Sequence, residues 1–293
     1  SQMLSTESAP SAIHQALYQQ ALEEGLARLA HEVQTLAITL QQRRPQRPIV
    51  LVSLVRAGVP LGILLHRALT DLGVDSTHYG ISIIRDKGID QAALRWIEQR
   101  HAMTDIVFVD GWVGKGAIHN ELRASLGARY PESEIPLVVL ADPTGRAWLA
   151  ASGEDWLIPS GILGSTVSGL VSRSVLSDDG GWHYCMFYQH LAAHDVSLAF
   201  IETVDNYRKT LPHTRPLQWD SGLRQLLQAQ SQATLQRLIN DYHIHNINRL
   251  KPGIAEATRA VIRRIPEYIL VHSLDDPHIR LLRYLADTRS ITL

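Results

Sequence analysis

The feature that most constrains this chain is a repeated order of short apolar run, turn and helical segment between residues 49 and 142. Parallel strands need crossovers of a dozen or more residues, and those crossovers are usually helices. The alternation therefore predicts an α/β fold with a mostly parallel sheet. The four predicted strands are IVLVSL, THYGISII, DIVFVD and PLVVLAD.

Helical periodicity marks the segments around these strands. Apolar residues recur at helical spacing from Ile13 to Leu40, and the pattern ends at RRPQRP, where two prolines prevent its continuation. Between the strands, we predict helices over residues 59–73, from Asp90 to about His101, and through Ala128.

A second, smaller unit is predicted after the sheet. Residues 143–190 read as insertions at the sheet edge, and Pro212 and Pro216 then bracket a predicted linker. We place the domains at 1–212 and 213–293. Within the second unit the pattern predicts a further helix, then a smaller α/β arrangement: strands INRL and YILVHS, and helices IAEATRAVIRRI and DPHIRLLRYLAD.

Composition excludes several classes of protein. Lys and Arg number 28 against 29 Asp and Glu, so the chain is neither an acidic tail nor globally polybasic, and 45% apolar residues argue against disorder. Apolar runs are too short to span a membrane. The first ten residues show no secretion signal and the single Cys185 cannot form an internal disulfide, so we expect a protein of the reducing cytoplasm.

A glycine-rich turn follows the third predicted strand. The loop Gly111-Trp112-Val113-Gly114-Lys115-Gly116 leaves a strand that ends at Asp110 and enters a helix. Glycines let backbone N–H groups approach an anion, and a helix N-terminus favours negative charge. The spacing is not that of a Walker loop. The interpretations from the residues alone are a phosphate-binding nest or an ordinary turn.

Two other turns carry cations beside predicted strands. Arg56 lies in Ser53-Leu54-Val55-Arg56-Ala57-Gly58, where its guanidinium could bind an oxyanion through two hydrogen bonds, and Arg85 and Lys87 lie in Arg85-Asp86-Lys87-Gly88. A surface arginine and a solvated turn are the alternatives. Taken together, the loops indicate a site for two anions.

These motifs resemble a known family. The run DIVFVDGWVGKGAI resembles the phosphoribosyl-diphosphate motif of type I phosphoribosyltransferases. The ordered motifs SLVRAGVPLG, ISIIRDKGID, VDGWVGKGAI and IPSGILGSTVSGLVSRSVL are similar to the phosphoribosyltransferase-like proteins of bacterial tellurite-resistance and stress clusters, the StiP-type domain that is often labelled a cysteine protease. The resemblance covers residues 30–205 and implies the type I phosphoribosyltransferase fold.

The resemblance implies a reaction and the residues that serve it. It implies transfer of phosphoribose between phosphoribosyl diphosphate and a nitrogenous base or base-like acceptor, with Mg²⁺ bound through the diphosphate. Arg85, Lys87 and Asp110 would be catalytic, with Asp110 at the ribose hydroxyls. One departure is Gly111, which replaces the second acidic residue of many such enzymes. The implied phosphoribosyl-diphosphate contacts are Arg56, Ala57, Gly58, Asp110, Gly111, Gly114, Lys115, Gly116 and Ala117.

The middle segment offers an acceptor side and a rival chemistry. Because the hydroxyl-rich run is among the most family-like, we expect Ser165, Thr166 and Ser168 on the acceptor side. In the alternating run around Cys185, His183 would share its strand face, which leaves a cysteine peptidase open as an alternative. An inert buried thiol is the other interpretation. The histidine spacing favours no zinc site.

The C-terminal segment resembles the Pelota-like, kink-turn-binding RNA fold through LKPGIAEATRAVIRR and YILVHSLDDP. That resemblance implies RNA contact at Lys251, Gly253, Glu256 and Arg259, although Ala255 replaces the usual asparagine. Residues 249–293 carry eight basic and five acidic side chains, and this excess suits either a phosphate-rich partner or a solvated helix face. A non-catalytic nucleotide or RNA sensor is a further alternative. We expect no membrane partner, and a homodimer is one possible assembly.

Overall fold

The computed structural model describes residues 6–130 and 134–293. Among these residues, six strands form one sheet in the order β3-β2-β1-β4-β5-β6. All neighbouring pairs are parallel except β2 and β3, which are antiparallel. The predicted mostly parallel α/β sheet is therefore confirmed. The strands are β1 (Ile49–Val55), β2 (Ser76–Ile84), β3 (Gly88–Ile89), β4 (Ile106–Val109), β5 (Leu137–Ala141) and β6 (Leu149–Ser152).

The helices of the sheet region follow the predicted order. A helix of 32 residues, Ala12–Arg43, opens the described fold, and it packs with the helices Val59–Asp71 and Ser197–Arg208. The hydroxyl of Ser11 caps its N-terminus by accepting a hydrogen bond from the His14 N–H at 3.1 Å. The helices are α1 (Ala12–Arg43), α2 (Val59–Asp71), α3 (Gln91–Glu98), α4 (Ala117–Leu126), α5 (Pro159–Ile162) and α6 (Ser197–Arg208).

Strand β1 lies inside the sheet between β2 and β4. Every residue from Ile49 to Leu54 is buried, which explains why the run is apolar except at Ser53: a strand with neighbours on both edges and helices over its faces has no solvent-facing side. The same core includes Phe108 of β4 and Leu65 of α2. Burial of such side chains stabilises a fold by about 1.5–3 kcal/mol each.

The sheet extends further than the sequence indicates. Residues 149–152, expected to belong to insertions, form β6 and pair in parallel with β5 through Val138 opposite Leu149. Leu149 and Ala150 are fully buried, so this short run gains enough apolar contact to complete the sheet edge. Strand β3 is only two residues long and lies at the opposite edge.

The C-terminal region is helical, which corrects the predicted α/β arrangement. Its helices are α7 (Ser221–Asp241), α8 (Ile254–Arg263) and α9 (Arg280–Thr288). The expected strand INRL is instead a short 3-10 turn over Ile247–Arg249, and YILVHS has no strand structure. The Ile269 N–H does donate to the Thr292 carbonyl at 3.1 Å. No neighbouring strand is present among the described residues to continue that pairing, so a ladder does not form.

Helices α8 and α9 share a small apolar core of their own. It contains the residues Ile254, Val261, Ile269, Ile279, Leu282, Ala286 and Ile291.

Across residues 6–130 and 134–293, no helix is both long and apolar enough to cross a membrane.

Candidate anion-binding site at the carboxyl edge of the sheet

Three turns meet at the carboxyl edge of the sheet, because β1, β2 and β4 are parallel neighbours. The contact between two of these turns is close. A Cβ added at Gly58 would lie 2.1 Å from the carbonyl oxygen of Val109, and one added at Gly111 would lie 3.1 Å from the carbonyl oxygen of Ala57. The turn after β1 therefore packs directly on the glycine loop after β4.

Asp110 is the first residue after β4 and remains half-buried. One carboxylate oxygen accepts the Gly111 N–H at 2.8 Å. Burial raises the pKa of the Asp110 carboxyl to about 6, while this hydrogen bond and the charge of Arg259 oppose the rise. The carboxyl is thus mainly ionised at neutral pH, with lone pairs left to accept further hydrogen bonds.

Gly116 ends the loop in a conformation that requires glycine. Its φ is +88°, in the left-handed region, and α4 begins at the next residue, Ala117. A Cβ here would also lie 2.5 Å from Nη1 of Arg146. Arg146 was not among the residues that the sequence predicted for this site. The signal that could have identified it is its position shortly after the strand β5, at the same edge of the sheet.

Helix α8 lies over the glycine loop. A Cβ at Gly114 would lie 2.2 Å from Oε1 of Glu256, so this carboxylate rests against the Gly114 backbone. The guanidinium carbon of Arg259 is 4.8 Å from the centroid of the Trp112 ring. The ammonium of Lys115 donates to the carbonyl of Leu250 at 3.4 Å, just before α8. The side chains expected to contact RNA at Glu256 and Arg259 therefore face the loop.

The Glu256 carboxylate has four basic neighbours. Burial raises its pKa, and the charges of Lys115, Lys251, Arg85 and Arg259 oppose that rise. Burial also lowers the pKa of the Lys115 ammonium, assisted by the charges of Lys251 and Arg85, whereas Glu256 raises it. The charges of cations from the turn after β2, the loop after β4 and the α8 region thus act on one carboxylate.

Lys87 differs from Arg85, although both belong to the same turn. Both side chains are exposed, and neither makes a hydrogen bond or ion pair within the described part of the chain, but the charge of Arg85 acts on Glu256 and Lys115. The Lys87 backbone N–H donates to the Ile84 carbonyl at 3.0 Å and closes the turn. The structure therefore brings Arg85, but not Lys87, into the electrostatic surroundings of the glycine loop.

Arg56 is engaged by an acidic residue that sequence analysis missed. Its Nη1 donates to Oε2 of Glu7 at 2.6 Å and to the Val171 carbonyl at 3.2 Å. Although burial opposes its ionisation, the pKa of the Glu7 carboxyl is lowered by Arg56 and by hydrogen bonds from Ser165. Glu7 lies far from both partners in the sequence, with no local motif around it, so only the fold reveals this contact.

The expected acceptor-side hydroxyls lie in the interior. Ser165 and Thr166 are 0% and 2% exposed, and Ser168 is also buried. The Ser165 hydroxyl donates to Oε1 of Glu7 at 3.1 Å, and the Ser168 hydroxyl donates to the Gly164 carbonyl at 3.0 Å. In this arrangement the segment supports the Arg56 turn and presents neither serine hydroxyl to a ligand.

The thiol of Cys185 and the imidazole of His183 have different partners. The Cys185 Sγ is 3.7 Å from the Ser174 hydroxyl, and Nδ1 of His183 is 2.7 Å from the Ser82 hydroxyl. The backbone N–H of His183 donates to Oδ2 of Asp90 at 2.7 Å. Within residues 6–130 and 134–293, no hydrogen bond joins the thiol to an imidazole. The expected shared strand face is not formed either, since Tyr184 makes only an isolated bridge with Val175.

Comparison with known proteins places the chain in a family. Residues 1–205 match the family described as Tellurite-like stress resistance cysteine protease StiP. The Cysteine protease StiP of Acinetobacter baylyi is 54% identical to this chain over 299 residues, which cover 97% of this chain and 78% of that protein. The chain belongs to the StiP family. The description of the family and the name of this relative both denote an enzyme. In addition, residues 229–293 of this StiP-family chain match the PELOTA RNA binding domain.

Solved structures similar to this StiP-family chain include hypoxanthine phosphoribosyltransferases of Trypanosoma cruzi. One, in complex with the product IMP, is 19% identical, with a TM-score of 0.34 over 42% of this chain and 74% of that chain. Another is 21% identical, with a TM-score of 0.34 over 46% of this chain and 81% of that chain. The likeness covers less than half of this chain.

Proposed function

We propose that this chain binds phosphoribosyl diphosphate at the glycine loop and transfers phosphoribose to or from a nitrogenous base or base-like acceptor. The observation that carries the proposal is that the Glu256 carboxylate rests on the Gly114 backbone, where it is stabilised by the charges of the basic side chains Lys115, Arg85, Lys251 and Arg259. A loop that surrounds a carboxylate with cations and glycine backbone has the chemistry to accept a phosphate.

Each part of the edge would serve a different group of the ligand. The loop from Gly114 to Ala117, with the ammonium of Lys115, would hold the 5′-phosphate. The turn at Ala57 and Gly58, with the Arg85 guanidinium, would face the diphosphate. Asp110 would accept hydrogen bonds from the ribose hydroxyls, since its carboxyl is mainly ionised at neutral pH.

In the proposed transfer, the bond from the anomeric carbon to the diphosphate oxygen breaks, and a bond from that carbon to an acceptor nitrogen forms. The electron pair of the broken bond leaves with the diphosphate, and the nitrogen releases its proton. Fixed donors at the leaving group stabilise the developing negative charge, and the anchored 5′-phosphate holds the sugar in place.

Asp110 would also contribute to a magnesium site. The chemistry of the donors fits, because Mg²⁺ binds through one or two carboxylates and takes its other oxygens from phosphates and water. The residue after Asp110 is Gly111, which has no carboxylate, so Asp110 would supply the protein carboxylate of this site. When bound, Mg²⁺ would neutralise charge on the departing diphosphate.

Calorimetric titration with phosphoribosyl diphosphate and Mg²⁺ tests this function. We expect Lys115→Ala and Asp110→Asn to weaken binding by about tenfold to a hundredfold, since a hydrogen bond to a charged group contributes about 1.5–3 kcal/mol. Lys209→Ala is the control, because that exposed lysine contacts Asp205 in α6. Parent-like affinity in both site variants would overturn the proposal, and binding without turnover on any base would favour the sensor alternative.

A cysteine peptidase is the second candidate, favoured by the names of the family and of the relative. Such a reaction needs a base beside the thiol, and Cys185 instead contacts the Ser174 hydroxyl. Peptide hydrolysis by the parent that Cys185→Ser abolishes, together with no binding of phosphoribosyl diphosphate, would place this candidate first.

RNA binding is the third candidate, favoured by the match of residues 229–293 to the PELOTA RNA binding domain. Lys251 and Arg259 supply positive charge on the α8 side of the loop. Charge reversal at both positions is expected to weaken binding of a structured RNA. Unchanged RNA affinity in that double variant would rule out this surface as the contact.

A further inference from the structure

Glu256 is a carboxylate that lies where the proposed function needs a phosphate. A Cβ added at Gly114 would lie 2.2 Å from Oε1 of Glu256. The space beside the Gly114 backbone is therefore filled by the carboxylate, and no other heavy atom fits there. Lys115, Lys251, Arg85 and Arg259 already stabilise its charge. A phosphate oxygen at the same position would need the same space and the same cations.

Several contacts hold α8 in this position. Both carboxylate oxygens of Asp155 accept the Ile254 N–H, at 3.0 and 3.2 Å, and so cap the N-terminus of α8 from the sheet region. The ammonium of Lys115 also donates to Oδ1 of Asn248 at 3.3 Å. A Cβ added at Gly161 would lie 3.7 Å from the Cβ of Ala255. The docked helix therefore closes the loop with polar and charged contacts.

The composition of this contact makes it replaceable. The Glu256 carboxylate rests on the Gly114 backbone and is stabilised by the charges of nearby cations, and a phosphate dianion is attracted by the same charges. The α8–α9 pair has its own apolar core, which includes Val261 and Leu282, so it keeps internal support when Glu256 leaves the loop. Leu281 of α9 also belongs to the main core of the sheet region, which anchors the pair when Glu256 leaves the loop.

We propose that Glu256 is a displaceable internal ligand of the glycine loop, so that docking of α8 closes the site to phosphate and an incoming phosphate group releases α8. This regulation rests on the proposed function, because it acts on the same loop. It also predicts linkage: whatever weakens the docking of α8 strengthens phosphate binding, and phosphate in turn weakens the docking.

Neutralising the carboxylate is the first test. We expect Glu256→Gln to bind inorganic phosphate about tenfold more tightly than the parent in calorimetric titration, within the range of ordinary coupling between sites. Glu267→Gln is the matched control, since it makes the same chemical change on an exposed side chain of the same region. Equal phosphate affinity in the parent and Glu256→Gln, or weaker binding in the variant, would overturn the proposal.

A disulfide provides the second test, which does not depend on the Glu256 side chain. In a Cys185→Ser background, Gly161→Cys with Ala255→Cys would place two Cβ atoms 3.7 Å apart, within the usual range of about 3.5–4.5 Å for a disulfide. We expect the oxidised protein to bind no phosphate and the reduced protein to recover binding. The Ala255→Cys single variant in the same background should not respond to oxidation. Equal binding in the oxidised and reduced double variant would contradict the mechanism.

The choice of probe separates failure of this inference from failure of the proposed function. If Glu256→Gln binds phosphate more tightly but binds phosphoribosyl diphosphate no better than phosphate, the displaceable ligand is supported and the proposed substrate is wrong. If the parent and Glu256→Gln bind both probes with equal affinity, the displaceable ligand is wrong and the anion site itself stands.

Discussion

The glycine loop and the segment around Cys185 differ in how their chemically active groups meet. At the loop, Lys115, Arg85 and Arg259 come from three separate parts of the chain and act on one carboxylate. In the other segment, His183 and Cys185 are two residues apart, yet each contacts a different hydroxyl group. Proximity in sequence therefore did not produce a catalytic pair, whereas long-range folding produced a cluster of charge.

The two regions differ because they belong to different kinds of backbone structure. The loop lies on parallel strands whose carboxyl ends share one edge, so the sheet itself brings distant turns together. In the described part of the chain, the strand pairing of the Cys185 segment is limited to isolated bridges, at Val171 with Phe187 and Val175 with Tyr184. We therefore expect substitutions at the sheet edge to affect anion binding strongly and comparable substitutions near Cys185 to affect it little.

The largest expected effect comes from matched glycine substitutions. In Gly58→Ala, the new Cβ would lie 2.1 Å from the Val109 carbonyl oxygen, so backbone must shift. We expect a loss of about 3 kcal/mol of unfolding free energy, at the upper end of overpacking costs, and loss of phosphate binding. Gly180→Ala meets no atom within 4 Å and only places alanine at a φ of +68°. It should cost about 1–2 kcal/mol and preserve binding.

Urea unfolding and phosphate titration of both variants check this contrast. Similar losses of stability and of phosphate affinity in Gly58→Ala and Gly180→Ala would contradict the dependence of the site on the packed sheet edge.

The next effect concerns the cap of α8. Asp155→Ala removes the acceptor of the Ile254 N–H, and loss of an N-cap costs about 1 kcal/mol. Because docking of α8 is weakened, phosphate affinity should rise several-fold. The control is Asp220→Ala, which removes the local cap of α7 at the Leu223 N–H. It should lower stability by a similar amount without changing phosphate affinity. Titration calorimetry measures the phosphate affinity of both variants. An equal change of phosphate affinity in Asp155→Ala and Asp220→Ala would contradict the link between α8 docking and phosphate binding.

A smaller effect is expected from the titration of Asp110. Burial raises the pKa of its carboxyl to about 6, so the group gains negative charge as pH rises from 5 to 7. That charge repels a bound anion, and sulfate affinity should therefore fall a few-fold over this interval. Asp110→Asn should reduce the fall. Measurements in a Glu256→Gln background remove the other carboxyl at the loop, and an identical pH profile with and without Asp110 would contradict this assignment.

The smallest effect is expected at the lone cysteine. Cys185→Ser keeps a polar partner for the Ser174 hydroxyl and does not touch the glycine loop. Phosphate affinity should stay within about twofold of the parent, since nonadjacent sites usually act independently. Calorimetric titration and thermal unfolding measure both properties. A large loss of phosphate binding would show that the two regions are one site.

Much of the sheet region was predictable because its pattern is local. The run from Ile49 to Leu54 is apolar except at Ser53, and it became a buried strand inside the sheet. The helical periodicity up to Leu40 became α1, which ends at Arg43, shortly before the prolines that were expected to stop it. Such patterns depend on burial over consecutive residues, and burial is encoded in side-chain chemistry.

The C-terminal region was less predictable, because strand formation there depends on a partner that is distant in the sequence. YILVHS has the composition of a strand, but a strand also needs a neighbour to complete its hydrogen bonds. Within the described residues, the strand-like pairing of this run is limited to the Ile269 N–H, which donates to the Thr292 carbonyl. Local sequence cannot state whether such a neighbour is available, and here none is present in the described residues.

The features of the candidate site also fall into two groups, those set by local sequence and those set by long-range contacts. The sequence by itself determined that Gly114, Lys115 and Gly116 follow a buried strand and open a helix, because strand, turn and helix are local patterns. Only the tertiary structure decided that Arg56 contacts Glu7 and that Glu256 occupies the loop. These contacts join residues 49 and more than 100 positions apart, and their geometry depends on the packing of whole elements, which no local pattern specifies.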